Sequence, residues 1–314
     1  MKKVFCVGEL LIDFVAEKQG SDLSKTKEFT KKAGGAPANT ACAVAKLGGE
    51  SFFIGAVGKD PFGNFLIETL EQNKVDTSLA QRCTTFTSLA FVSLTENGER
   101  DFVFSRGADE KLTYDSALKN TFKNNILHLG AATALLGGNL EKAYGHYFFD
   151  ALTHNAFISF DPNFRGDLWK ENEALFIKKC MPFIEKADLC KFSKEELLLL
   201  SEEKDMDAAC NALHQIGAKI IMVTLGSHGT LISTTSFKQI IPSIQVEAID
   251  TTGAGDAFIG CLLFQIAKLD TVEMIFNSTD LLIKMVKYAN KAGAITTVNY
   301  GAIPSLPNYS EVFN

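Results

Sequence analysis

The chain has 314 residues, 46% of them hydrophobic and 22% charged, which is enough apolar material for a substantial core and too much for a disordered chain. Its formal charge of −6 and the lack of any long basic run argue against a nucleic-acid surface. No apolar stretch reaches the ~20 residues that cross a bilayer, Glu9 and Asp13 interrupt the N-terminal run, and the seven cysteines and five histidines are scattered, so the expectation is a cytoplasmic protein without a transition-metal site.

The first β-like run, residues 3–7, ends at Gly8 without the further glycines of a dinucleotide fingerprint. Asp13 follows, where an open α/β sheet presents side chains to its ligand crevice. The segment 20–26 imitates a phosphate loop, but Ser24 stands where the glycine before Lys-Thr belongs. In Gly34-Gly35-Ala36-Pro37-Ala38-Asn39 the glycines allow close backbone approach, and Asn39 offers a donor and an acceptor or, equally, a helix cap.

Further β-like runs at 51–57, 126–129, 156–161, 189–192 and 219–224 alternate with amphipathic stretches, the rhythm of a mostly parallel sheet covered by helices. One region breaks it. Residues 87–94 and 101–104 flank Asn97-Gly98, a hairpin turn, and with 14–31 they predict a small separate sheet. Apolar alternation at Leu89, Phe91 and Leu94 would leave that sheet an uncovered face, so a homodimer through it is expected.

The loop Asp161-Pro162-Asn163-Phe164-Arg165 leaves an apolar strand and carries the planar donor fork of Arg165, suited to phosphate or a polar substrate unless it is simply solvated. Glu195 and Glu196 suit the first turn of a helix. Gly226 and Gly229 give the loop after residue 224 tight glycine spacing. The densest signal is Asp250-Thr251-Thr252-Gly253-Ala254-Gly255-Asp256, running into an apolar helix: backbone N–H groups converge there on an anion, and an acid in that turn suits proton acceptance better than phosphate affinity.

Together, Gly34 to Ala41, Leu47-Gly48-Gly49, Gly55 to Gly63 and Asp250 to Asp256 resemble, in order and spacing, the signatures of the ribokinase-like (PfkB) family of sugar and nucleoside kinases, over nearly the whole chain. The resemblance implies a ribokinase-like three-layer α/β/α sandwich, one kinase domain over 1–314, with a β lid from about 14–32 and 86–106. It implies that Asp256 is the general base and that Gly253, Ala254 and Gly255 supply the anion hole. By the same resemblance Asp13, Gly34, Gly35, Asn39, Arg106 and Arg165 take the sugar, while Ser193, Thr224, Gly226, Gly229 and Asn290 take ATP. Glu196 would reach Mg²⁺ through water, and Asp250, Thr252, Thr296, Asn299, Gly301 and Ser305 would hold K⁺. Ser193 departs from the family's usual asparagine, as in its fructokinase-like members.

The segments 34–39, 106–109, 161–169 and 191–197 look most like fructokinases, which implies transfer from ATP to the C6 hydroxyl of D-fructose. A 2-keto-3-deoxygluconate kinase is the alternative, because it shares D-x-N-x-R and Arg106 or Arg165 could pair with a substrate carboxylate. A sugar-sensing protein without catalysis belongs to a different class and should have lost Asp256, Gly253 or Gly255, all of which are intact.

Overall fold

Alternate side chains of the first strand enter two different cores: Val4 and Cys6 one, Phe5 and Val7 the other. A strand buried on both faces belongs to a sheet covered by helices on both sides. The computed structural model describes residues 1–18, 20–94, 100–170 and 172–314. In chain order the strands are β1 (Val4–Val7), β2 (Leu11–Ala16), β3 (Phe29–Gly34), β4 (Ser51–Ile54), β5 (Ala56–Gly58), β6 (Gln81–Cys83) and β7 (Leu89–Leu94). They continue as β8 (Arg100–Ser105), β9 (Ile126–Gly130), β10 (Phe157–Asp161), β11 (Leu189–Ser193), β12 (Ile220–Thr224), β13 (Thr230–Ser233) and β14 (Lys238–Ile241).

Eight of them form one sheet in the order β14-β13-β12-β11-β10-β9-β1-β4. Neighbours from β4 to β12 are parallel, whereas β13 and β14 add an antiparallel edge. The helices Ala36–Lys46, Ala254–Ala267 and Thr279–Thr296 pack on one face, and Gly138–Thr153, Glu173–Lys186 and Met206–Ile216 on the other. The result is the expected three-layer α/β/α arrangement. Helix Ala254–Ala267 lies against both Ala36–Lys46 and Thr279–Thr296 as well as the sheet, which explains why it is apolar almost all round.

The sequence-based expectation differs from the fold in three places. The run 51–57 divides: β4 joins the large sheet, and β5 pairs with β6 in a separate two-stranded ribbon. The antiparallel edge formed by β13 and β14 was not anticipated. The first two strands of the small sheet, whose order is β3-β2-β7-β8, begin at Leu11 and end at Gly34, so Asp13 sits within a strand of that sheet instead of following the first strand of the large one.

The apolar face of the small sheet is partly covered by a neighbouring helix. Phe91 stacks on Phe14 at 5.1 Å, and Phe14 meets Phe62 of helix Pro61–Gln72 edge-on at 5.7 Å. Phe62 thus shields the Phe14 side of this face, while Val103, the register partner of Phe91, is half exposed. The expected Asn97-Gly98 turn and the side chain of Leu94 lie outside the described residues.

Candidate active site

Asp250 fixes the loop that precedes helix Ala254–Ala267. Its Oδ1 accepts the Thr252 N–H at 2.9 Å and hydroxyl at 2.6 Å, and its Oδ2 accepts the Gly301 N–H at 2.8 Å. Burial opposes that charge, but these bonds and the ammonium of Lys32 outweigh it and hold the carboxyl below its ordinary range. The N–H groups of Ile249 and Asp250 both donate to Thr297 O, so the two chain segments form one unit. Within it, Thr296 donates its hydroxyl to Ala292 O at 3.0 Å, Ser305 donates to Tyr300 O at 3.2 Å, and Asn299 is exposed.

Gly253 is the N-cap of the helix, with φ at 81°, and a Cβ there would lie 2.5 Å from the Ala302 Cβ. Only glycine fits both the left-handed backbone and the space. Asp256 stands in the first turn beyond it. Its Oδ2 accepts from Asn39 Nδ2 at 2.8 Å, a bond that joins the C-terminal glycine motif to the N-terminal one across 217 residues of sequence. Burial raises the Asp256 pKa, against the opposing pull of the Asn39 bond and the positive charge of Lys191. A carboxylate so placed is a better proton acceptor than a solvated one.

Lys191 was missed by the sequence reading. It lies in β11, buried, with Nζ 2.9 Å from Asp161 Oδ2 of β10; the two stand two residues beyond the register pair Leu189–Ser159 on their strands. A Cβ on Gly255 would come within 3.1 Å of the Lys191 ammonium, so this cation lies directly behind the turn that the N–H groups line. Burial alone would lower its pKa, but Asp161 and Glu196 together raise it, and the lysine stays charged. The one available signal was a lysine at an inward position of an otherwise apolar strand.

Glu196 has two structural bonds. Oε2 accepts the Ser193 N–H at 2.7 Å while Ser193 Oγ accepts the Glu196 N–H, a reciprocal cap on helix Lys194–Ser201, and Oε1 accepts the Phe164 N–H at 2.7 Å. That second bond pins the 161–165 loop, where Asn163 adopts a left-handed φ of 47° and donates its N–H to Asp161 Oδ1. Arg165 leaves this loop exposed, near enough for its charge to act on Asp256 and on Glu9.

On the small sheet, Asp13 Oδ2 would lie 2.0 Å from a Cβ on Gly34, so its carboxylate crosses the Gly34 backbone and excludes any side chain there. Gly35, with φ at 115°, abuts the Glu9 carbonyl and caps helix Ala36–Lys46, which carries Asn39. Asn39 is thus inside the helix and not its cap. Arg106 is braced: Nη2 donates to Gly137 O at 3.0 Å and Thr133 O at 3.2 Å, and Nε lies 3.5 Å from Asp109, which is itself buried against Ser88 and Thr133.

Thr224, Gly226 and the loop between them line a cleft of about 590 Å³ with Lys194, Glu195, Met206, Leu225, His228 and Ile240. The apolar Met206 and Ile240 and the loop residue His228 had given no sequence signal as cleft residues. Gly229 closes the loop, since a Cβ would strike Ile241 O. Asn290 is buried, accepts from Thr230 Oγ1 at 2.6 Å and donates to Ile241 O at 2.9 Å, so its amide fastens the antiparallel edge beneath that loop. A shallow groove of similar volume on helix Gly138–Thr153 contains none of the expected site residues.

Residues 1–309 match the pfkB family carbohydrate kinase. The chain is 37% identical over 312 residues to fructokinase-2 of Zea mays, covering 97% of this chain and 91% of that protein. Among solved structures, the fructokinase of Xylella fastidiosa with bound ATP superposes with a TM-score of 0.88 at 31% identity, covering 99% of this chain and 96% of that one. A double-mutant fructokinase of Vibrio cholerae O395 with fructose, ADP and potassium ion bound superposes with a TM-score of 0.85 at 30% identity, covering 100% and 97%.

Proposed function

Because the chain belongs to the pfkB family of carbohydrate kinases, we propose that it transfers the γ-phosphoryl group of ATP to the C6 hydroxyl of D-fructose. The observation that carries this reading is the Asn39–Asp256 bond, which places a buried carboxylate between the expected sugar loop and the glycine turn. Asp256 accepts the hydroxyl proton as the sugar oxygen attacks phosphorus in line and ADP leaves. The N–H groups of Gly253 to Asp256, backed by the Lys191 ammonium, stabilise charge on the transferring oxygens. Asp13, Gly34, Gly35, Asn39 and Arg165 receive the sugar. The cleft at Thr224, Gly226 and Gly229 takes the nucleotide, with Ser193 at its edge and Asn290 supporting it.

Arg106 is braced by two carbonyls and Asp109, while the exposed Arg165 suits a hydroxyl or a carboxylate alike, so fructose is favoured by the fructokinase relatives and not by the arginines. Among the described residues no group of three or more acids, histidines or cysteines could hold a metal ion, and both Glu196 oxygens accept backbone bonds. Mg²⁺ would be held by the polyphosphate, with Glu196 reached through water, and would supply charge neutralisation there. The oxygens around Asp250, Thr252, Thr296, Asn299, Gly301 and Ser305 suit K⁺, which would hold the glycine turn in its donor-aligned form.

The whole chain works as one kinase domain in the cytoplasm, with the small sheet closing as a lid to exclude water. Val103 and Phe86, about half exposed at 52% and 53%, support pairing of that sheet in a homodimer; a monomeric mass in light scattering throughout the micromolar range would remove the dimer. The function is tested by comparing kcat/KM across fructose, ribose, ketodeoxygluconate, fructose 6-phosphate and nucleosides. A higher value for ketodeoxygluconate than for fructose would overturn the acceptor.

A further inference from the structure

Lys32 stands on β3 of the small sheet, directly across from Asp13 on β2. Register partners on antiparallel strands project to one face, so the two side chains leave the sheet on the same side. Lys31 leaves on the other, with Nζ 3.8 Å from the centre of the Phe65 ring on the covering helix Pro61–Gln72. Lys32 is half-buried and reaches beyond its own sheet: its Nζ and Cδ lie 3.6 and 3.7 Å from where a Cβ on Gly301 would sit. That glycine donates its N–H to Asp250 Oδ2 at 2.8 Å, so the ammonium rests beside the bond that ties the two halves of the 250–301 unit.

The backbone that Lys32 touches supports the glycine turn. A Cβ on Gly253 would lie 2.5 Å from Ala302 Cβ and 2.8 Å from Ala302 Cα, so the start of helix Ala254–Ala267 rests on the residue next to Gly301. From the large core, Lys46 at the end of the helix that carries Asn39 donates to Leu306 O at 2.8 Å. The segment 301–306 is therefore held twice, by Lys46 from the body and by Lys32 from the small sheet. A charged contact partly withdrawn from water is screened less by salt than a surface pair.

We propose that Lys32 is a positioning residue for the phosphoryl transfer, linking the strand pair that carries Asp13 to the Gly301–Ala302 backbone and through it setting the aim of the Gly253 turn. This inference rests on the sugar-kinase reading and adds to it a physical route from the acceptor to the anion site. A sugar on Asp13 immobilises the β2–β3 pair, the Lys32 ammonium then holds the Asp250–Gly301 bond in one place, and the N–H groups beyond Gly253 point where the phosphoryl group travels. Lys32 acts through this backbone and touches neither substrate.

The experiment compares the parent with Lys32→Met, Lys32→Arg and Lys31→Met, the last removing the same charge from the opposite face. Each is shown to be folded by thermal melting and is assayed in saturating K⁺, so that altered cation occupancy does not enter. Two readouts are taken: fructose phosphorylation, and hydrogen exchange of the 250–256 backbone amides with and without fructose. Lys32→Met should lower kcat by about 10- to 100-fold, the order that a misaimed reacting group costs, with KM for fructose and ATP within about threefold of the parent. Fructose should slow exchange of those amides in the parent, in Lys32→Arg and in Lys31→Met, and should have no such effect in Lys32→Met. Parent exchange unmoved by fructose, or slowed equally in Lys32→Met, would overturn the proposal. So would an unchanged kcat with either KM raised more than about tenfold, which marks a lost direct contact. Parent turnover of fructose in the same assay reports on the kinase reading separately.

Discussion

Replacing Asp256 by asparagine separates a general base from a helix cap. The amide preserves volume, and its oxygen can still accept the 2.8 Å bond from Asn39, so the join between the two glycine motifs survives. Burial has already raised the pKa of this carboxyl, so removing its charge relieves a buried anion and should leave the melting temperature unchanged or higher. ATP affinity should hold or improve, because one negative charge near the phosphates is gone. Chemistry should suffer: a positioned base contributes roughly 10²–10⁴-fold, a barrier increase of about 2.7–5.4 kcal/mol. The assay is single-turnover phosphorylation of fructose with ATP binding verified independently. A rate within about threefold of the parent would be far inside the expected loss and would return Asp256 to a capping role, for which asparagine is an equal.

The buried pair can be dissected in the same way. Lys191→Met leaves Asp161 uncompensated and should destabilise the fold by about 3–5 kcal/mol, while Lys191→Met with Asp161→Asn should recover most of that stability and still show kcat at least about tenfold down, the order expected for one lost stabilising charge; recovery of kcat along with stability in denaturation and turnover assays would make the lysine purely structural. Glu9 gives a pH signature. Because its pKa rises from an ordinary 4.5 to about 7 on folding, its contribution is complete below the lower value and lost as pH passes the upper, a change of about 3 kcal/mol, so Glu9→Gln should gain stability relative to the parent between pH 5 and pH 8 in urea unfolding. An unchanged difference at both pH values would show that Glu9 ionises freely in the folded protein. Turnover in K⁺ should exceed that in a bulky organic-cation buffer free of K⁺ and NH₄⁺, and equal rates would remove the cation from the 250–305 unit.

The glycine turn at 253–256 and the large sheet were legible in the sequence because both are local: one depends on which residues tolerate a left-handed backbone, the other on short apolar runs set between amphipathic stretches. The direct bond from Asn39 to Asp256 was not, since nothing in either motif states that they meet. Lys191 was obscured for a related reason: a charged side chain in a short apolar run looks like an interruption until the neighbouring strand supplies Asp161. Asn290, assigned to the nucleotide by the family resemblance, was not legible as the amide that fastens Thr230 and Ile241 of the antiparallel edge. The partial cover on the small sheet was not legible either, because Phe62 reaches it from a helix that the pattern of Leu89 and Phe91 does not mention.

The divided bonding of Glu196 bears on how the two substrates sense each other. One oxygen holds the start of helix Lys194–Ser201, whose first residues line the nucleotide cleft, and the other holds the backbone of the Arg165 loop. If ordering one side lowers the ordering cost of the other, the two occupancies are thermodynamically linked. The linkage has a fixed arithmetic: if a non-hydrolysable ATP analogue tightens fructose by some factor, fructose must tighten the analogue by the same factor. Glu196→Gln, which keeps the shape but weakens both anchors, should bring that common factor toward one in paired calorimetric titrations, and a factor unchanged from the parent would show that the two sites communicate by another route.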